Sequence, residues 1–229
     1  MPKNNFKPVL YWVDVNPLYD DKLFFTALEY VNDARKEKIS KLKFRKDKNL
    51  SLGAGLLLEY ALKEFGKGAK SEIITGENGK PYLKDNSLYF SLSHSKNYAL
   101  CGVAPFEIGC DIEFRENINL DIARRFFTKE EYEDIVSGED STDKFYRYWT
   151  LKESLMKATG LGMKLPLDRF TVYLDNPPYV KSEAIKENYY FKEFRGLSDF
   201  ACAVCGSEDC SETKCVLISD IKKTVVDAL

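Results

Sequence analysis

The sequence predicts an α+β fold with mainly antiparallel sheets. Helical apolar spacing gives way to period-two alternation, and this order occurs twice along the 229 residues. The strand candidates succeed one another in hairpins instead of alternating singly with helices, which argues against a doubly wound parallel sheet. A break near Pro105 divides the chain into two halves of similar size, 1–105 and 106–229.

Val9 to Val15 alternates and predicts an opening strand. Asp20 or Asp21 can cap a helix running through Phe24, Leu28 and Val31. A basic segment leads into a helix from Leu50 to Phe65, with Leu52, Leu56, Leu57, Tyr60, Ala61 and Phe65 on its apolar face and Gly66 after its end. Gly53 and Gly55 lie inside that helix, where they permit close packing. They make no dinucleotide loop, since a third glycine and a preceding strand are missing. Strands are predicted at Ser71 to Thr75, Ser87 to Ser93, Tyr98 to Ala104 and Ile108 to Phe114, with a turn at Gly76 to Gly79. A helical stretch at Ile122 to Phe127 precedes Thr128-Lys129-Glu130-Glu131, a capping box opening a helix that ends near Gly138. The clearest helix runs from Asp143 to Thr159 and stops at Gly160. Further strands follow at Phe170 to Leu174, Glu183 to Phe194, Phe200 to Cys205 and Cys215 to Ile218.

Composition excludes several classes. Hydrophobic residues at 44% and charged residues at 31% describe a globular chain, and a net charge of −2 gives no field toward nucleic acid or membrane. Residues 1–15 lack the apolar region of a secretion signal, and no apolar run is long enough to span a bilayer, so a cytoplasmic protein with reduced cysteines is expected. Charge is unevenly placed. Arg35 to Lys48 holds eight basic residues against two acidic ones, whereas Glu107 to Asp140 holds eleven acidic against four basic. One stretch offers anion ligands and the other cation ligands. Little aromatic interleaving in the basic run argues against nucleic-acid binding.

Asp111 and Glu113 are two apart on a predicted strand, so they share a face, although such pairs also decorate solvated faces. Glu153 and Lys157 are four apart on a predicted helix, spaced for an ion pair; on a helix this apolar, charged groups need partners or ligands. Carboxylates brought together would suit Mg²⁺, with Mn²⁺ as a substitute. The only histidine, His94, lies in Ser91-Leu92-Ser93-His94-Ser95, either as a structural residue or as a donor beside Ser93 to a phosphate. Lys80 follows a tight turn. Cys202 and Cys205 form a lone C-x-x-C on a strand pattern that aims them at opposite faces, a poor zinc site.

Gly109-x-Asp111-x-Glu113 combined with Trp149-x-x-Lys152-Glu153-Ser154-x-x-Lys157 resembles the signature of the 4′-phosphopantetheinyl transferases, in particular the monomeric surfactin-type (Sfp-type) branch. Asn78-Gly79-Lys80-Pro81, Ser91 to Ser95, Ile122 to Phe127 and Leu165-Pro166-Leu167 extend the match. The resemblance implies two halves related by a pseudo-twofold axis, with coenzyme A in the cleft between them. It implies Mg²⁺ on Asp111, Glu113 and Glu153. It also implies phosphate contacts from Lys157, His94, Ser93 and Lys152, Lys80 near the nucleotide, and Arg35, Lys38 and Ser51 around the 3′-phosphate. Arg35 stands where the branch's reference member has lysine, and Cys110 where the family prefers an aliphatic residue. The implied partner is an apo acyl or peptidyl carrier protein, met near Ile122 to Phe127, and Glu153 is the implied general base. The rival readings are a catalytically silent coenzyme A- or carrier-binding module of the same fold, and a zinc-stabilised interaction domain.

Overall fold

Strand β1 (Val9–Asp14) buries both faces, with Tyr11 and Val13 on one and Leu10 on the other. Helix α1 (Asp21–Leu28) starts where the Asp20 carboxylate accepts from Leu23 N at 2.7 Å. A separate helix, α2 (Asp33–Lys41), carries four of the eight basic residues of the basic run and is capped by Asn32; its largely polar sequence lacks a readable apolar stripe. Helix α3 (Arg45–Glu64) starts five residues before the expected Leu50. Strands β2 (Ile73–Thr75), β3 (Pro81–Leu83), β4 (Tyr89–Ser95), β5 (Tyr98–Ala104) and β6 (Ile108–Phe114) follow. Next come α4 (Asp121–Phe126), α5 (Lys129–Ser137) and α6 (Ser141–Thr159), then β7 (Thr171–Tyr173), β8 (Tyr179–Lys181), β9 (Tyr190–Glu193), β10 (Phe200–Gly206) and β11 (Lys214–Ile218). This computed structural model describes residues 6–67, 71–137, 139–195 and 199–226, so the expected helix end at Gly138 lies outside the described residues.

Two sheets organise the molecule. The first has the order β11-β1-β5-β4 and the second β6-β10-β9. Both halves follow one plan, a long helix across a small sheet. Helix α3 covers the first sheet over a core that includes Leu52, Leu56 and Val103, and α6 covers the second over Leu151, Leu155 and Ala203. The opposite faces meet in a third core, where Leu10 and Leu100 pack with Cys110, Ile112, Cys202 and Val204. The architecture is therefore α+β with mainly antiparallel sheets, as the sequence predicts.

Three expectations change. Strand β11 pairs in parallel with β1, so residues 106–229 do not close as a unit but return their last strand to the first sheet. The expected strand from Glu183 to Phe194 shrinks to Tyr190–Glu193, because only this part finds a partner, in β10. The short strands β3 and β8 went unforeseen, since three residues carry too little alternation to read.

Candidate active site

The acidic pair owes its place to a glycine. On β6, Ile108, Cys110 and Ile112 face the core between the sheets, which leaves Gly109, Asp111 and Glu113 on the other face. A Cβ on Gly109 would lie 1.9 Å from Ser154 O and 2.4 Å from Ala158 N, so strand and helix backbones touch only because residue 109 has no side chain. That contact brings Asp111 beside the α6 face that carries Glu153 and Lys157. Gly109→Ala is expected to cost about 3 kcal/mol or more through overpacking. Chemical denaturation measures this, and a variant as stable as the parent would contradict the close contact.

Three serines at period two join the edges of the two sheets. Ser91 Oγ accepts from Cys110 N at 3.0 Å. Ser93 Oγ donates to Asp111 Oδ1 at 2.7 Å. Ser95 Oγ accepts from Phe114 N at 3.0 Å and donates to Glu113 Oε2 at 2.9 Å. Edge strands β4 and β6 are thus bridged by hydroxyls instead of a backbone ladder. This leaves a groove where the acidic side chains emerge. Ser91 and Ser95 were not expected as linking residues, although their spacing was visible.

Lys157 sits within this group. Its Nζ donates to Asp111 Oδ1 at 2.7 Å, Ser93 Oγ at 3.1 Å and Cys110 O at 3.2 Å. Burial alone would lower its pKa, but Asp111, followed by Cys110 and Glu153, more than offsets this, and the net shift is upward. Glu113 is pushed up to about 7 by burial and by the charge of Asp111. The same two causes raise Glu153, with Lys157 opposing.

A cleft of about 790 Å³ gathers Arg35, Lys38, Ser51, Lys80, Ser93, His94, Asp111, Glu113, Glu153 and Lys157 on its wall, ten residues that the sequence singles out. Burial lowers the pKa of both Arg35 and Lys38, and Arg35 depresses Lys38 further. A bound anion would relieve both effects. Gly55 makes room for Arg35, since a Cβ there would lie 3.1 Å from Arg35 Cγ. Partial enclosure, then Lys157 and Lys38, lower the pKa of His94. Trp149, which opens the helix motif, supplies apolar wall together with Met156 and Met163, which motif reasoning passed over.

Two residues expected at the ligand have their ammonium groups engaged within the protein. Lys152 does not reach the cleft. Its side chain and that of Glu131 are both 0% exposed, paired at 2.7 Å. Lys152 also donates to Leu167 O at 2.7 Å and Phe170 O at 2.6 Å. Burial pulls its pKa to about 8 although Glu131 opposes. Glu131 in turn accepts from Thr128 N at 3.0 Å and Val172 N at 2.7 Å, so the capping box extends into a buried clasp between α5, α6 and β7. Lys80 borders the cleft, but its ammonium is taken by Glu107 Oε2 at 2.6 Å, Ala158 O at 3.0 Å and Ile108 O at 3.3 Å. The cysteines fall as the strand period requires, with Cys202 in the core between the sheets and Cys205 in the core under α6.

Among the described residues, no three His, Cys, Asp or Glu side chains are already arranged to hold an ion, and Ser93, Ser95 and Lys157 engage Asp111 and Glu113. The donor set nevertheless fits a hard divalent cation. Asp111 Oδ2 is buried without a hydrogen-bond partner, and burial and charge repulsion hold Glu113 and Glu153 above the ordinary carboxylate range. Ser51 Oγ on the cleft wall is likewise buried and unpartnered. Among the described residues, no helix is long and apolar enough to cross a membrane.

Comparison with known proteins agrees with this geometry. Residues 16–105 match the family model described as 4′-phosphopantetheinyl transferase, N-terminal, and residues 107–205 match the 4′-phosphopantetheinyl transferase superfamily. The chain is 32% identical over 187 residues to the Bacillus subtilis (strain 168) protein named 4′-phosphopantetheinyl transferase Sfp, covering 79% of this chain and 84% of that one. It is 33% identical over 184 residues to another Bacillus subtilis protein named 4′-phosphopantetheinyl transferase, covering 77% and 82%. Over 94 residues, 37% of this chain and 40% of the other, it is 46% identical to 4′-phosphopantetheinyl transferase HetI of Nostoc sp.. The chain therefore belongs to the 4′-phosphopantetheinyl transferase superfamily, as an enzyme of its surfactin-type branch.

Proposed function

We propose that this enzyme transfers the 4′-phosphopantetheine moiety of coenzyme A to a serine hydroxyl of an apo acyl or peptidyl carrier protein. The reaction depends on Mg²⁺ and releases adenosine 3′,5′-bisphosphate. The observation that carries the reading is one cleft walled by cations and acids from distant stretches of the chain. In this reading residues 1–105 provide the anion contacts, with Arg35, Lys38 and Ser51 around the 3′-phosphate and His94 nearer the pyrophosphate, while Ser93 beside it orients Asp111 and Lys157. Residues 106–229 provide the acids, Lys157 and the carrier contacts. Helix α4 leaves Ile122 and Phe126 exposed, apolar anchors suited to a carrier surface.

The serine oxygen forms a bond to the β-phosphorus of coenzyme A as the bond to the bridging oxygen breaks. The serine proton passes to Glu153, whose carboxylate burial and the charge of Asp111 make more basic than an exposed one. Asp111, Glu113 and Glu153 would hold Mg²⁺, or Mn²⁺, which when bound neutralises charge on the phosphoryl oxygens. Lys157 keeps a positive charge beside the same oxygens, secured by Asp111. Ser93 has given its one proton to Asp111, so its part is to orient that carboxylate and Lys157. The nucleophile belongs to the partner, which leaves this chain the work of positioning and charge neutralisation.

Incubation with coenzyme A, Mg²⁺ and a panel of apo carrier domains, read by intact mass, tests reaction and partner together. Unchanged carrier masses across the panel would refute the proposal. Lys38→Ala should raise KM for coenzyme A about tenfold and leave KM for dephospho-coenzyme A unchanged, as expected for one lost charge-assisted contact. Equal effects on both donors would place the 3′-phosphate elsewhere.

A further inference from the structure

We propose that Lys80 is a positioning residue, a strap that fastens the β2–β3 turn of the first half to the end of α6 and so holds Lys157 in place. The inference rests on the transferase reading above and gives Lys80 a role other than touching the nucleotide. Strands β2 and β3 have three residues each and pair only with one another in a two-stranded sheet, too little to fix the turn between them. The fixing comes from the other half. Lys80 Nζ donates to Glu107 Oε2 at 2.6 Å, to Ala158 O at 3.0 Å and to Ile108 O at 3.3 Å. Asn78 Nδ2 donates to Gly160 O at 3.0 Å. An ammonium has three donors, so Lys80 has none left for a ligand, and its side chain is 10% exposed.

The acceptors explain the arrangement. Ala158 and Gly160 lie at the C-terminal end of α6, where the last four carbonyls have no intrahelical partner and a cation opposes the negative end of the helix dipole. The helix turns out of its path at Gly160 with φ +68°, and a Cβ there would lie 2.6 Å from Tyr82 Oη. The hairpin therefore rests directly on the helix end. Lys157 immediately precedes Ala158, and its ammonium is 2.7 Å from Asp111 Oδ1. Slack in this last turn would move the charge that faces the acids, while Arg35 and Lys38 on α2 would stay where they are.

Lys80→Met, Glu107→Gln and the double variant of the full chain test this by two readouts. Both single variants should lower kcat on the order of tenfold, since small displacements of a positioned group are costly, with KM for coenzyme A within about twofold. Amide hydrogen exchange over residues 156–161 should speed up in both. The double variant should be no worse than Lys80→Met, because the two changes break one link. A raised KM with unchanged kcat in Lys80→Met, together with a silent Glu107→Gln, would overturn the proposal and make Lys80 a nucleotide contact. Unchanged exchange in Lys80→Met would also overturn it. If the parent chain modifies no carrier, the transferase reading fails alone, and the exchange data still decide the strap. Should Lys80→Met not fold, Glu107→Gln decides by the same two readouts, its partly exposed side chain being the milder change.

Discussion

Asp111→Ala is expected to lower Mg²⁺-dependent turnover by about 10³-fold or more while leaving cooperative unfolding intact. The magnitude reflects loss of a metal carboxylate and of the anchor for Lys157, in chemistry that relies on charge neutralisation. The fold should survive because of what remains around the gap. Lys157 keeps Ser93 Oγ and Cys110 O as acceptors, and its side chain is 29% exposed, so no fully buried charge is stranded. The side chains of Ile112 and Cys110, which hold β6 in the core, point the other way. Carrier modification followed by mass, beside a thermal unfolding curve, separates the outcomes. Retained turnover would remove Asp111 from the metal set, and an unfolded variant would make its role structural.

Lys152→Ala should behave in the opposite manner, costing about 3–5 kcal/mol of stability. A domain of this size has about 5–15 kcal/mol in total. The substitution leaves the Glu131 carboxylate fully enclosed without its cation and removes the donor to Leu167 O and Phe170 O. Two backbone amides, Thr128 N and Val172 N, still solvate Glu131, which keeps the loss from being larger. Denaturant unfolding gives the stability, and the folded fraction should keep the parental KM for coenzyme A. Unchanged stability with a raised KM would return Lys152 to the ligand site.

Lys152 and Glu153, neighbours in α6, separate what was legible from what was not. Trp149-x-x-Lys152-Glu153-Ser154-x-x-Lys157 identifies the family, and its i, i+4 spacing places Glu153 and Lys157 on one face. It does not say which side of α6 meets solvent. Lys152 is one residue from Glu153 and about 100° around the helix, enough to turn it into the core beneath Phe170. Lys80 escaped in a similar way. A lysine after a glycine turn reads as solvated or ligand-facing until the end of α6 is seen beside it, with Ala158 78 residues away in the chain.

By itself, the sequence determined the α+β class, most helices and strands, the shared face of Asp111 and Glu113, and the family. These follow from local periodicity and from residue types whose chemistry travels with them. Only the tertiary structure decided that Gly109 lets β6 touch α6, that Ser91, Ser93 and Ser95 bridge two sheet edges, and that β11 returns in parallel to β1. Each depends on contacts between residues distant in the chain. Such contacts are set by packing and hydrogen-bond satisfaction over the whole molecule, which no window of sequence contains.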